Sequence, residues 1–476
     1  MSETLDQTRT YSSGSDAGSI HPALVVLHSE DEPHRVGEVA LIYRPAVLGR
    51  GAGDEPSRRL TFLRQRPGHS ETRPALAERR LSRSQLRIHP HGLELEIRNV
   101  GRCPLSVNGV KVDRARVKPG DVLRLRTLVL GVVARPMDLP PLMPALSDHL
   151  DTRFPWGQAD DLGWVGESAA SWRLRESLAF VGGRTGHVLV LGPSGSGKEL
   201  VARGLHARSS RRERELVARS AATIPEKLAV EELFGNVAGY PAPGAAAREG
   251  LIGEADGTTL FLDEIARAPD AVRAHVLRVL DAEGEFHRLG ESGARTSDLR
   301  VVATTNARPD SLDREIRARF RLVVEVPGLE ERMEDVPLLL AHLLREGAQD
   351  DPLVRERFLD DDGTPRLSAE LIEAVCRHRP VQHVRELDTL LWQAISTSPG
   401  DRVVLGDAVA ASVDAPEPVV DPTELTADQI QRTLDDNEGV LERTWRALGL
   451  KNRFQLIRLM RKHRLGKYAD EGYDDD

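Results

Sequence analysis

Cysteine is scarce in this chain, since Cys103 and Cys376 are the only two among its 476 residues. They lie far apart in sequence and lack the spacing of metal ligands, so the pattern argues against a disulfide framework or a cysteine-based zinc site and predicts two free thiols. No apolar run reaches the length of a membrane span, about 18 residues. The polar N-terminus lacks the apolar core of a secretory signal. These absences favour a protein of the reducing cytoplasm with no membrane partner.

The composition is otherwise ordinary for a soluble protein, with 29% charged residues, 40% hydrophobic residues and a net charge of −9. The length predicts about three domains. Short apolar runs with Gly, Pro and Asn between them come first, apolar strands then alternate with charged helical stretches, and helical patterns follow. Proline-rich segments at 135–144 and 415–422 separate these regions. We predict a disordered tail (1–20), an all-β sandwich (21–136), a linker (137–159), an α/β core (160–330), a helical lid (331–412), a linker (413–424), an all-α domain (425–467) and an acidic tail (468–476).

A glycine-rich loop follows the apolar run at 187–191 and opens a helical stretch. Strand, loop and helix in this order cradle a polyphosphate, because glycines let backbone N–H groups turn inward and a lysine adds charge near the β- and γ-phosphates. The candidate nucleotide-binding residues of this loop are Gly192, Pro193, Ser194, Gly195, Ser196, Gly197, Lys198 and Glu199.

A second motif lies about 65 residues further on, where the apolar strand TTLFLDE at 258–264 ends in two acids. Asp263 is suited to hold a metal ion and Glu264 to activate a water molecule. Either motif alone could arise by chance. The two together, in this order, predict that the chain binds ATP with Mg²⁺ and hydrolyses it.

The region from about 160 to 410 resembles the AAA+ domain of sigma-54-type bacterial enhancer-binding regulators. The resemblance rests on Glu199 after the lysine and on the segments ELFG (232–235), EADGTTLFLDEI (254–265), ATTN (303–306), LEERMED (329–335) and VREL (384–387). It implies an ATPase core with a helical lid that assembles into a homo-oligomeric, hexamer-type ring. It also implies that Asn306 senses the γ-phosphate, that Arg385 reaches the nucleotide from the lid, and that Arg319 is an arginine finger in a neighbouring site. Such a finger contributes about 10³–10⁵ in rate.

One segment departs from this family. Where the family has a GAFTGA loop that presses on the sigma factor, this chain has GYPAPGA at 239–245, in which Pro241 and Pro243 fix φ. The family's asparagine partner of the catalytic acid is also missing near Arg219 and Ser220. ATP hydrolysis remains the expectation, whereas contact with RNA polymerase carrying sigma-54 is left open.

The β-rich region resembles a forkhead-associated domain, a phosphothreonine-binding sandwich. The segments that carry the resemblance are LGR at 48–50, LSRSQL at 81–86 and the stretch from Asn99 to Gly109. It implies that Arg50 and Ser82 contact the phosphate, with Arg83 as a supporting charge. Gln85 stands where the family has its structural histidine, and Gly51 to Arg80 is predicted to form a long basic loop.

The C-terminal helices resemble the Fis-type helix-turn-helix of the same regulators, through Ala447-Leu-Gly-Leu450 before a basic helix. Residues 425–467 carry ten Lys and Arg against five Asp and Glu, which is typical of a DNA-binding surface. Two sets of residues are predicted to bind DNA: Asn452, Arg453 and Gln455 at base edges, and Arg458, Arg461 and Lys462 at phosphates.

Together these patterns predict a cytoplasmic ATP-dependent transcriptional regulator. A phosphothreonine protein or Ser/Thr kinase would act at the sandwich, and the C-terminal helices would bind DNA. Two alternatives stay open. In one, the nucleotide state controls assembly and promoter occupancy without sigma-54. In the other, the chain is a phosphopeptide-binding scaffold whose basic helices contact proteins.

Overall fold

The computed structural model describes residues 19–51, 58–142, 153–281, 284–307, 314–378, 382–413, 426–436, 440–441, 444–445, 448, 450, 453–463 and 465. The chain forms two compact units, Met1–Gly406 and Asp407–Asp476. The division falls a few residues before the linker predicted at 413–424. Within the described ranges, no helix is both long and apolar enough to cross a membrane.

The first unit begins with two antiparallel sheets that share one core. Their strands are β1 (Ile20–Ser29), β2 (Val39–Leu41), β3 (Ala46–Leu48), β4 (Phe62–Arg66), β5 (His69–Arg73), β6 (Leu86–His91), β7 (Glu94–Asn99), β8 (Leu105–Val107), β9 (Val110–Val112), β10 (Arg114–Val117), β11 (Val122–Leu125) and β12 (Leu128–Pro136). One sheet has the order β5-β4-β2-β1-β12-β11-β8-β9 and the other the order β10-β7-β6-β3. Alternate residues of both sheets, Leu86 and Ile88 among them, fill the space between the sheets. The predicted β character of this region is confirmed.

The segment from Gly51 to Arg80 is not one long loop, and that prediction was wrong. It contains β4 and β5, which pair from Phe62 opposite Arg73 to Arg66 opposite His69. An arginine-rich strand lacks the apolar residues by which a hydropathy pattern identifies a strand. Its charges are tolerated because they pair with carboxylates of other segments. Here Arg64 and Arg73 both reach the buried Glu38 at 3.2 Å.

A parallel sheet forms the centre of the first unit, in the order β14-β15-β18-β13-β19. Its strands, with the small hairpin β16–β17, are β13 (Val188–Leu191), β14 (Val217–Ser220), β15 (Thr259–Asp263), β16 (Glu285–Phe286), β17 (Arg295–Thr296), β18 (Arg300–Thr305) and β19 (Leu322–Glu325). Helices cover both faces, so strands such as β13 are apolar throughout rather than alternating. The predicted α/β class of the centre is confirmed.

Ten α-helices of the first unit lie in its described part. They are α1 (Ala169–Gly182), α2 (Lys198–Ala207), α3 (Ala229–Phe234), α4 (Gly250–Glu254), α5 (Asp270–Asp281), α6 (Arg314–Arg319), α7 (Val336–Asp350), α8 (Pro352–Phe358), α9 (Ala369–Arg377) and α10 (His383–Thr397). Helices α1 and α2 pack on one face of the parallel sheet, and α3, α5 and α6 pack on the other.

The second unit is helical where it is described. Its helices are α11 (Asp407–Val413), α12 (Ala427–Asp436) and α13 (Arg453–Lys462). Its core consists of Ile430, Leu434, Leu448, Leu450, Leu456, Leu459 and Met460. Helices α12 and α13 therefore hold one another through their apolar faces.

Candidate functional site

The carboxyl ends of three neighbouring strands bring the sequence-predicted residues to one edge of the parallel sheet. Leu191 at the end of β13 lies opposite Thr305 at the end of β18. Leu262 of β15 lies opposite Ala303 of the same central strand. The glycine-rich loop, the acidic pair and Asn306 all leave the sheet at this edge, which is where parallel sheets bind ligands.

The glycine-rich loop is held against the first turn of α10. The N–H of Val384 donates to the carbonyl oxygen of Gly195 at 3.1 Å. Gly195 has a φ of +77°, and a Cβ added there would lie 2.0 Å from the carbonyl oxygen of Gln382. Only glycine allows this approach of two backbones, so the sequence signature and the contact with α10 have the same cause.

Lys198 is the first residue of α2 and reaches back over the loop that precedes it. Its Nζ donates to the carbonyl oxygens of Gly192 at 2.9 Å and Pro193 at 2.8 Å. The ammonium group is thus placed inside the curve of the loop, beside the first N–H groups of a helix. This combination attracts a phosphate anion.

Four other charged groups surround that ammonium group. Burial lowers the pKa of Lys198, whereas the carboxylates of Asp263 and Glu264 raise it. The guanidinium groups of Arg385 and Arg267 lower it further. The structure therefore brings together the lysine, the two acids and the lid arginine that the sequence singled out, and adds Arg267, which lies 3.4 Å from Glu264.

Thr304 fixes the acidic pair. Its hydroxyl donates to Asp263 Oδ1 and accepts a hydrogen bond from the Glu264 N–H at 3.2 Å. Glu264 has a φ of +55°, in the left-handed region that a non-glycine residue rarely occupies. The backbone consequently leaves the strand direction at Glu264 and enters the 3-10 turn Ile265–Arg267. Thr304 is a member of the site that the sequence analysis missed, although it lies two residues before Asn306.

Two predicted residues have partners outside this cluster. Glu199 lies on the solvent side of α2 and pairs with Arg203 at 2.8 Å. Arg319 at the end of α6 pairs with Asp281 of α5 at 2.9 Å. Asn306 follows β18 directly, next to Thr305, whose carbonyl oxygen accepts a hydrogen bond from Gly192 at 3.3 Å.

The acidic pair suits a magnesium ion only if water and substrate phosphates supply the remaining ligands. In the part of the chain that the structure describes, no group of three or more His, Cys, Asp or Glu side chains could hold a metal ion alone. Mg²⁺ is commonly bound by one or two carboxylates that are completed by water and substrate phosphates. Asp263 beside the loop lysine fits that pattern.

A second polar cluster lies at one end of the two antiparallel sheets, where Arg50 and Ser82 meet. The N–H of Arg50 donates to the Ser82 carbonyl oxygen at 3.0 Å. A Cβ on Gly49 would lie 2.2 Å from the Arg83 carbonyl oxygen, so glycine permits the contact of the two loops. Arg50 and Arg83 are exposed, and their positions leave the loop surface positively charged.

Gln85 ties these loops to the neighbouring strands from a fully buried position. Its Oε1 accepts from the Ser82 N–H at 3.0 Å. Its Nε2 donates to Asn99 Oδ1 at 2.7 Å and to the Cys103 carbonyl oxygen at 2.9 Å. An amide has both a donor and an acceptor, so glutamine pairs with three polar groups from the position where the related family has a histidine.

Two arginines near Ser82 were missed by the sequence analysis. Arg59 donates to the carbonyl oxygens of Arg83 at 2.5 Å and Arg50 at 2.6 Å. The backbone N–H of Arg102 donates to the Ser82 hydroxyl at 3.0 Å. Neither residue falls in a recognisable motif, because their roles depend on which loops the sheets bring together.

The loop that replaces GAFTGA is closed at its base. Nδ2 of Asn236 donates to the carbonyl oxygens of Val237 at 3.1 Å, Tyr240 at 2.9 Å and Ala246 at 2.9 Å. The backbones of Asn236 and Arg248 pair in both directions, at 3.1 and 3.0 Å. Tyr240 lies against Gly290 and is 40% exposed.

In the second unit, Arg453, Arg458 and Arg461 are exposed on α13. Arg458 and Arg461 are three residues apart and share one face of the helix, opposite the buried Leu456 and Leu459. Three further predicted DNA contacts fall outside what can be described: Asn452 as a whole, and the side chains of Gln455 and Lys462.

Comparison with known proteins identifies the family. Residues 164–326 match the family described as Sigma-54 interaction domain. The transcriptional regulatory protein ZraR of Escherichia coli (strain K12) is 31% identical over 359 residues, which cover 71% of this chain and 78% of ZraR. The C4-dicarboxylate transport transcriptional regulatory protein DctD of Rhizobium meliloti (strain 1021) is 33% identical over 319 residues, or 64% of this chain and 65% of DctD.

Among solved structures, NtrX from Brucella abortus in complex with ADP is 25% identical, with a TM-score of 0.44, and covers 64% of this chain and 69% of that chain. The family match spans the glycine-rich loop and the acidic pair, and the predicted ATPase is confirmed. The chain belongs to the AAA+ transcriptional regulators that carry a sigma-54 interaction domain.

Proposed function

We propose that this protein is a DNA-binding transcriptional activator that uses ATP hydrolysis to act on RNA polymerase carrying sigma-54, under the control of a phosphothreonine protein. The observation that carries the proposal is the cluster of Lys198, Asp263 and Glu264 at one edge of the parallel sheet. Family membership adds the transcriptional context.

ATP is the substrate, and each residue at the sheet edge has a separate role in its hydrolysis. Lys198 neutralises the β- and γ-phosphates, Asp263 holds Mg²⁺, and Glu264 polarises the attacking water. When bound, Mg²⁺ would neutralise part of the phosphate charge. Asn306 and Arg385 read the γ-phosphate from β18 and from the lid, respectively.

Arg319 is proposed to act on the site of a second copy. It lies on α6, where its pair with Asp281 holds it at the surface with the side chain 30% exposed. A finger supplied in trans requires a closed homo-oligomer, for which a hexamer-type ring is the expected form. Arg319→Ala should therefore abolish hydrolysis without preventing ATP binding, and an equal mixture with Lys198→Ala subunits should regain part of the activity.

Contact with sigma-54 is assigned to the loop closed by Asn236. The loop contains Tyr240 and small residues in place of the Phe-Thr pair of the family. Tyr240 lies against Gly290 but is 40% exposed, and an aromatic ring exposed to this extent can bury against a partner, so Tyr240 is the residue proposed to press on the sigma factor.

The decisive experiment is transcription in vitro with sigma-54 polymerase, with and without ATP. Wild-type protein should form open complexes only with ATP, and Glu264→Gln should form none. Glu213→Gln is the matched control, since this exposed carboxylate precedes β14 at the opposite edge of the sheet. If ATP turns over and DNA is bound but no open complex forms, sigma-54 is not the target, and the alternative of nucleotide-controlled promoter occupancy stands.

Phosphothreonine binding is proposed for the cluster at Arg50, Ser82 and Arg83. Two guanidinium groups and a hydroxyl on adjacent loops suit the charge and the hydrogen-bonding capacity of a phosphate dianion. A phosphothreonine peptide should bind at least tenfold more tightly than its unphosphorylated form, and Arg50→Ala should remove the difference. Arg116→Ala is the control, because this arginine pairs with Glu94 on another strand. Equal binding of both peptides contradicts this proposal.

DNA binding is proposed for α13. Each arginine that contacts a phosphate should contribute about one unit to the slope of log K against log salt. Arg458→Ala and Arg461→Ala should each reduce that slope, whereas Arg432→Ala on α12 should leave it unchanged. If the protein shows no salt-dependent binding to DNA, the scaffold alternative is favoured, in which the basic helices contact protein.

A further inference from the structure

Four consecutive residues, Arg332–Asp335, touch three different parts of the first unit. They include a 3-10 turn, Met333–Asp335, just before α7. Arg332 reaches the glycine-rich loop, Glu334 reaches the antiparallel sheets, and Asp335 holds the segment before α1. These residues end the LEERMED stretch at 329–335, whose sequence alone predicts no role for them.

Arg332 contacts the glycine-rich loop at Ser196. Its side chain is only 1% exposed, and Nη2 donates to the carbonyl oxygen of Ser196 at 3.2 Å. The guanidinium lies 4.2 Å from the centre of the Trp164 ring. Trp164 itself borders Gly197, where an added Cβ would lie 3.1 Å from the ring. Arg332 therefore supports both Ser196 and, through the indole, the last glycine of the loop.

This placement is costly for a structural arginine. Burial lowers the pKa of Arg332 to about 10. Among the described residues, its Nε and the neighbouring Ser196 hydroxyl have no hydrogen-bond partner. A buried guanidinium with an unpaired N–H group destabilises the fold. A purely stabilising role therefore does not account for Arg332, and its contact with the phosphate loop indicates a role at the nucleotide site.

The other end of the segment connects to the N-terminal sheets. Glu334 pairs with Arg135 of β12 at 2.7 Å, and Arg135 is 1% exposed. A second nitrogen of Arg135 donates to the Glu167 carbonyl oxygen at 3.1 Å. Asp335 accepts from the N–H groups of Glu167 and Ser168 at 2.8 and 2.9 Å. The turn is thus fixed on both sides by buried, charge-assisted bonds.

We propose that Arg332 is a positioning residue of the ATPase, which holds the glycine-rich loop through Ser196 and Trp164, and that the Arg135–Glu334 pair couples its position to the N-terminal sheets. Arg332 acts through the loop rather than on the nucleotide. Loss of the contact should weaken nucleotide binding more than it slows the chemical step. The proposal rests on the ATPase alone and does not require phosphothreonine or sigma-54.

The first test measures ADP binding by calorimetry, and kcat and KM for ATP, on the full chain. Arg332→Met keeps the length of the side chain and removes the donor, and should weaken ADP binding at least tenfold with a smaller fall in kcat. Arg332→Lys, which keeps a donor, should recover part of the affinity. A folded Arg332→Met variant with wild-type ADP affinity overturns the proposal. If that variant does not fold, Glu334→Gln replaces it, and unchanged ADP affinity is again the contrary result.

The second test is a double-mutant cycle. Arg135→Met should weaken ADP binding in the wild-type background and have no further effect when Arg332 is already Met, because the two act in series. Arg114→Met is the control, since this arginine of β10 pairs with Glu96 on the same sheet. Additive effects of the 135 and 332 substitutions would show that the sheets do not act through Arg332.

Discussion

Gly195 offers the sharpest test of how the glycine-rich loop and the lid are joined. Replacement by alanine has two costs. The first is a left-handed φ of +77° for a residue with a Cβ, which costs roughly 1–2 kcal/mol. The second is contact with Gln382, whose carbonyl oxygen would lie 2.0 Å from the new Cβ, so the lid must retreat by about 1 Å to reach a tolerable 3.0 Å.

That retreat would break the hydrogen bond from Val384 to Gly195, now 3.1 Å long, at a cost of about 1 kcal/mol. The same movement displaces Arg385, the next residue. We therefore expect Gly195→Ala to lower ADP affinity about tenfold or more, since about 1.4 kcal/mol corresponds to a factor of ten. Calorimetric titration with ADP measures this directly.

Gly363→Ala separates the two costs. Gly363 has a φ of +80°, and a Cβ there would meet nothing within 4 Å, so this variant carries the backbone cost without the clash. Gly363→Ala should lose only the stability that the backbone cost removes, Gly195→Ala should lose more, and only Gly195→Ala should lose nucleotide affinity. Equal ADP affinity in the two variants would refute the argument that backbone contact with the lid shapes the phosphate loop.

Three further predictions concern single side chains. Thr304→Val should reduce kcat for ATP about tenfold with little change in KM, and Thr304→Ser should restore it, because the hydroxyl orients Asp263; a Val variant with normal kcat would exclude that role. Gln85→Leu should lower the melting temperature and abolish phosphothreonine binding, as it leaves the half-buried Ser82 N–H and Asn99 Oδ1 without the amide that pairs them; retention of both would contradict the structural role of the amide. Burial raises the pKa of Glu78 from 4.5 to about 7, so ionisation opposes folding and stability falls as pH rises from about 4.5 to 7. The loss is on the order of 2 kcal/mol, and Glu78→Gln should flatten the dependence of chemical denaturation on pH across that window.

The sequence was sufficient to predict that the candidate nucleotide-binding residues meet at one edge of the sheet, because these residues are local to strand ends. Lys198 and Asp263 each sit in a short motif whose chemistry does not depend on distant parts of the chain. The parallel pairing of β13, β18 and β15 then brings them together by a general rule of such sheets.

Other features depend on contacts between remote segments and could not be read from a pattern. Arg59 acts through carbonyl oxygens of two loops, and Gln85 performs with an amide what the motif leads one to expect from a histidine. The β4–β5 hairpin was hidden because its arginines are neutralised by Glu38, which belongs to a different part of the chain. In each case the missing information was tertiary, not compositional.

The closed base of the loop at 236–248 also has a consequence for engineering. The Asn236 amide and the backbone pairing of Asn236 with Arg248 hold the two ends of the loop together. The residues between these ends can therefore be exchanged. The six-residue GAFTGA sequence could replace part of 239–245, because the backbone pairing of Asn236 with Arg248 lies outside the replaced segment. Such a chimera would have the same ATPase as the wild-type protein and differ only in this loop. A comparison of the two proteins in transcription with sigma-54 polymerase would therefore measure the contribution of the loop alone.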